Sequence, residues 1–158
     1  FAWHHQMVGI SLLLMLGLFA SLVILYLRLG VGKRKADSLS ERLFIRLPVS
    51  MYLGWITVAT VANVTALLVD IGWGGFGIAA VNWAIIMIGA TVLITLLMAF
   101  LRRDIAFSLV IIWALVGIII KRNISDPIYE SIILTAAIGI GLIAAGNITA
   151  LLIPRKSS

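Results

Sequence analysis

The stretch YLGWITVATVANVTALL, residues 52–68, places one tryptophan, three threonines and one asparagine inside an apolar run. An indole can stack on a flat apolar molecule, and an amide can hydrogen-bond to that molecule's polar edge. At about 100° per residue, Tyr52, Trp55, Ala59, Ala62, Asn63 and Ala66 share one face of a helix. Ser50, Gly54, Thr57 and Thr65 form a second, small and hydroxylic strip suited to close helix packing, where Ser and Thr bond back to their own helix. Packing therefore accounts for the threonines, but not for Trp55 and Asn63. Pro48 fits a helix start, which puts Trp55 roughly 10 Å in, below the aromatic belt and facing protein or ligand.

Other candidates are sparser. Trp113 has Gly117 one turn on, and Ala137, Gly141 and Ala145 form a small-residue strip ending near Asn147, suited to tight contacts or to an apolar slot. NVTALLV at 63–69 is echoed by NITALLI at 147–153 in a span running the other way, a pattern that an inverted repeat with a central site would produce. Both copies contain N-x-[ST] but lie within apolar runs. Asn123 in NIS is the copy that glycosylation could reach, in a eukaryotic secretory setting. His4 and His5 are the only imidazoles and, as helical neighbours about 100° apart, cannot easily share one metal; either could be an axial ligand to haem or a chlorin, and both also suit an interface.

Acid–base chemistry has little to work with. Asp70, Asp104, Asp126 and Glu130 all sit at the ends of apolar runs or between them, and no ionisable residue lies near a run's centre. That argues against an enzyme and against an ion-coupled pump. Asp104 is expected to pair with Arg102 or Arg103, or to favour the start of the next helix. There is no cysteine, Gly-rich phosphate loop, zinc spacing or aromatic-basic RNA surface.

The elements that must carry these residues follow from composition. Of 158 residues 63% are hydrophobic and 11% charged, which places the chain outside soluble domains and among integral membrane proteins, all-α and polytopic. Five apolar runs near the 20-residue spanning length occupy about 7–28, 48–70, 81–101, 105–120 and 132–153. The net charge of +6 records topology rather than nucleic-acid binding. Arg28, Lys33, Arg34, Lys35, Arg42, Arg46, Arg102, Arg103, Arg155 and Lys156 fall on one side, and only Lys121 and Arg122 on the other. The excess predicts that the first end lies outside and the C-terminus inside, with a prokaryotic inner (cytoplasmic) membrane the expected location.

Two connections have features of their own. In the inner 29–47 connection, Ser38 with Glu41 three residues on predicts a capped short helix, with Leu39, Leu43 and Leu47 on one side and Arg42 and Arg46 on another, along the headgroups or as a solvated connector. The outer DIGWGGFGIAA is a glycine-rich loop whose Trp73 and Phe76 could anchor at the interface or form a lid.

Trp55, Ala59, Thr60 and Asn63, with Pro48 upstream, resemble the last span of the TspO/MBR (translocator protein) family, where a proline precedes a tryptophan, an alanine, a small hydroxyl residue and an asparagine. FAWHHQ at 1–6 resembles the end of that family's middle span, and YLRLG with ERLFIRLPVSMYLGWITVATVANVTALL is similar to an extended branch, the tryptophan-rich sensory proteins. On that alignment residues 1–70 are partial TspO-like helices and 71–158 add three further spans. An N-terminal part is then expected to be missing, in keeping with Phe1 where a Met would stand. The resemblance implies binding of a tetrapyrrole, sterol or similar flat molecule, with porphyrin, haem or chlorin as the ligand class. Trp55, Ala59, Thr60 and Asn63 are the positions it carries over, and the depth of Trp113 adds a second ring. Two functions fit: a non-enzymatic binding or sensory protein, or an accessory subunit of a larger bioenergetic or pigment-containing membrane complex. Homo-oligomers suit either.

Overall fold

A computed structural model describes residues 8–34, 38–124 and 129–153. The described residues fold into helices with tight turns between them and no strands. Five helices are long and apolar enough to cross a membrane. They are α1 (Val8–Arg28), α3 (Leu47–Asp70), α4 (Ala80–Arg102), α5 (Ile105–Asn123) and α6 (Glu130–Leu152), with a short α2 (Leu39–Glu41) ahead of α3. The predicted spans are met within two or three residues at each end. The fourth is longer than predicted, because Lys121 and Arg122 continue its last turn, where cations complement the exposed carbonyls.

The chain divides into two compact units, Phe1–Ala79 and Ala80–Ser158. In the first, α1 packs along α3 as a hairpin. Its tightest part lies toward the connecting segment, where Leu22 and Tyr26 of α1 and Ser50, Leu53, Gly54, Ile56 and Thr57 of α3 are buried. Three of the four residues of the predicted hydroxylic strip are therefore in the packing seam. Thr65, the fourth, is exposed and satisfies its hydroxyl on the Val61 carbonyl at 2.9 Å.

The segment before α3 departs from the expected separate helix. Ser38 does cap it, its Oγ accepting from the Glu41 backbone N–H at 3.0 Å. The helix then runs on through one π-helical turn, Arg42–Arg46, where the Leu47 N–H reaches the Arg42 carbonyl, and straight into α3. Pro48 thus lies inside a continuous helix rather than at its start. A proline there lacks its N–H and crowds the carbonyl four residues back, and a π-turn is one of the few ways a helix absorbs such a misfit.

In the second unit α6 is the central element, packed against both α4 and α5, which also touch each other. Its buried residues are Ile132, Ala136, Gly139, Ile143, Gly146 and Ala150, spaced alternately by four and three. Ile88, Val92, Thr95 and Ala99 of α4 follow the same rhythm. A seam that alternates steps of four and three is that of helices crossing at a shallow left-handed angle. Small residues in the seam let neighbouring side chains approach the α6 backbone. A Cβ on Gly139 would stand 2.8 Å from Val92 Cγ2, and one on Gly146 would collide with Leu96 Cδ2. The strip read from sequence, Ala137, Gly141 and Ala145, is instead the exposed side of α6, with nothing within 4 Å of a Cβ at Gly141. In this unit it makes no tight contact.

Candidate functional site

The candidate residues of the first unit all lie on α3, with Trp55, Ala59 and Asn63 on its side away from the packing seam and Thr60 on the side of buried Leu53 and Ile56. From Arg46, the last charge before the apolar run, to Trp55 is nine residues, or roughly 13 Å of helix. Trp55 is 46% exposed and neighbouring Tyr52 is 45% exposed, so two rings stand on the outer surface of the hairpin. Ala59 and Asn63, one and two turns on, are half-buried. Ala59, between the indole and the amide along the helix, carries no side chain beyond a methyl.

The polar candidates on this helix are satisfied locally, as a helix in lipid requires. Thr60 Oγ1 donates to the Ile56 carbonyl at 2.7 Å, and Asn63 Nδ2 donates to the Ala59 carbonyl at 2.9 Å. Asn63 Oδ1 accepts nothing among the described residues, yet it is not a buried orphan. It is an accessible acceptor on an apolar face. The echoed stretch repeats the pattern: Asn147 Nδ2 donates to the Ile143 carbonyl at 2.8 Å and Thr149 Oγ1 to the Ala145 carbonyl at 2.8 Å. The two segments thus share local hydrogen bonding, one in each unit.

Trp113 belongs to the second unit. It is 64% exposed on α5, on the side away from the buried Phe107, Ile111 and Leu115, and Gly117 is exposed with it. Trp55, Ala59 and Asn63 therefore share one side of α3, Thr60 stands about 140° round from Trp55 on the side of buried Leu53 and Ile56, and Trp113 with Gly117 forms a separate surface in the second unit. His4 and His5 lie outside the described residues. Among those described, no three His, Asp or Glu side chains converge as metal ligands would.

Two ionic features at the helix ends were not readable beforehand. Arg46, expected on a polar helix face, is only 9% exposed, with Nη2 2.6 Å from Glu41 Oε1, Nε donating to the same oxygen at 2.7 Å, and Nη1 donating to the Arg34 carbonyl at 2.6 Å. On a regular helix residues five apart diverge, but the extra residue of a π-turn brings them onto one side. The signal was Glu41 and Arg46 five apart beside Pro48. Between α4 and α5, Arg103 adopts a left-handed φ of 54° and donates to the Ile153 carbonyl at the end of α6. Buried Asp104 caps α5, its Oδ1 accepting from the Phe107 N–H at 3.1 Å, so the second of its two expected roles is realised.

At the other helix ends, Trp73 and Phe76 meet edge to face at 5.2 Å with Phe76 84% exposed, and Arg122 lies 5.2 Å over the Tyr129 ring. The Trp73–Phe76 pair in the first unit and the Arg122–Tyr129 pair in the second each suit an interface anchor at a helix end.

A family model described as TSPO-like protein matches residues 1–149. The match takes in all five spans and stops within the last turn of α6, so the chain belongs to the TSPO-like family and is a membrane protein of that kind. Neither the curated proteins nor the solved structures contain a match to the chain.

Proposed function

We propose that this TSPO-like chain is a non-enzymatic binding or sensory protein that takes a flat apolar ligand, of which a tetrapyrrole is the leading example, on the Trp55–Asn63 face of α3. One observation carries the reading: an accessible amide acceptor, Asn63 Oδ1, two turns from a half-exposed indole, with an alanine between them. Lipid chains offer that oxygen no donor, whereas a tetrapyrrole such as protoporphyrin carries propionic acid O–H groups at the edge of a stacking surface. Trp113 supplies a second exposed ring of the same class on α5.

A saturable change in the Soret absorbance of protoporphyrin on titration with detergent-purified protein, weakened in Asn63→Ala, is the expected result. A linear, non-saturating response like that of empty micelles would overturn the reading.

The accessory-subunit reading draws on a different observation, the exposed Ala137–Gly141–Ala145 strip of α6, where a partner helix could approach the backbone closely. Stable co-purification with other membrane chains, together with absence of saturable ligand, would favour it.

A further inference from the structure

We propose that the end of the first unit that carries Arg28, Lys33, Arg34 and Arg42 is a docking surface for the phosphates of anionic bilayer lipids. Between Arg28 and Arg46 the sequence holds six cations and two carboxylates, Asp37 and Glu41. Glu41 and Arg46 neutralise each other in the clasp described above, and Lys35 and Asp37 lie outside the described residues. Arg28, Lys33, Arg34 and Arg42 are all exposed, and none forms an ion pair among the described residues. Four like charges are thus gathered at one end of a two-helix hairpin with no counter-ion among the described residues.

The fold holds them there. Gly30 takes a left-handed φ of 60°, and the N–H groups of Lys33 and Arg34 both donate to its carbonyl at 2.9 Å. The Arg34 carbonyl in turn receives Arg46 Nη1. The turn bearing Lys33 and Arg34 is therefore tied both to the end of α1 and to the π-turn that presents Arg42.

What surrounds the charges identifies the partner. Phe44 is 79% exposed and Leu39 69% exposed, with Leu43 beside them, in the same short stretch as Arg42. An acidic protein or a nucleic acid gives a phenylalanine there nothing to enter, whereas a bilayer offers phosphates directly above hydrocarbon. Chain continuity agrees, because α1 and α3 leave this end as spanning-length apolar helices, which holds the cations at headgroup depth.

The test is a titration of the full chain in neutral detergent with headgroup-labelled phosphatidylglycerol and, separately, labelled phosphatidylcholine, read by anisotropy. Phosphatidylglycerol should bind preferentially, the preference should shrink at high salt, and Arg42→Gln alone should weaken it about fivefold. The variant with Arg28, Lys33, Arg34 and Arg42 all changed to Gln should lose the preference, while Lys121→Gln with Arg122→Gln in the second unit should keep it. Equal binding of the two lipids by wild type, an undiminished preference in Arg42→Gln, or an equal loss in the Lys121 and Arg122 variant would overturn the proposal. So would displacement of the labelled lipid by inorganic phosphate at low concentration, which would mark a site for a free oxyanion instead.

Discussion

At the scale of single residues, the functional and structural roles of polar side chains separate by where their hydrogen bonds go. Thr57, Thr60 and Thr65 each spend their hydroxyl on a carbonyl of their own helix, so they explain themselves without a ligand. Asn63 spends one N–H in the same way and keeps an acceptor over. Asn63→Ala is accordingly expected to change thermal stability in detergent by less than about 1 kcal/mol, since interhelical and local polar contacts in membranes are worth little, while weakening porphyrin binding about fivefold. A large loss of stability would instead make the amide a packing element. Arg46 is the opposite case. Arg46→Gln leaves Glu41 without its charge partner and should cost about 2–4 kcal/mol in a denaturation series, against less than about 0.5 kcal/mol for exposed Arg42→Gln.

At the scale of elements, the span ends were legible because charge interrupts hydropathy: Arg28, Asp70, Arg102 and Lys121 each stand within a turn or so of a helix terminus. Which face each span buries was legible only in part. In a soluble helix the buried stripe contrasts with a polar one, but here lipid-facing and protein-facing sides are equally apolar, so Ala137, Gly141 and Ala145 looked as good a seam as the true one. The strip on α3 was easier because hydroxyls marked it. The π-turn escaped because sequence periodicity assumes 3.6 residues per turn throughout. Packing at Gly139 and Gly146 makes a direct prediction: Gly146→Val should destabilise the second unit by about 1–3 kcal/mol in thermal unfolding, and Gly141→Val by about 0.5 kcal/mol at most. Similar effects at both positions would contradict the seam described here. Removal of the Asp104 cap in Asp104→Ala should cost about 1 kcal/mol by the same measurement.

At the scale of the whole molecule, the five spans and the family match describe a membrane protein of the TSPO-like family, and the charge bias proposes its orientation. The chain has no cysteine, so single introduced thiols report topology cleanly. With an impermeant maleimide added to the outside of sealed cells, Asn123→Cys should label and Lys33→Cys should not; labelling of Lys33→Cys alone would reverse the orientation, and labelling of both would break the odd number of spans between them. The central claim, that the Trp55–Asn63 face of α3 receives a flat apolar ligand, is tested most directly by protoporphyrin quenching of tryptophan fluorescence in wild type, Trp55→Phe, Asn63→Ala and Trp113→Phe. Saturable quenching whose midpoint moves several-fold in Trp55→Phe and Asn63→Ala is the predicted result; saturable quenching indifferent to both, or none at all, would contradict the account and leave α3 as a packing helix of an accessory subunit.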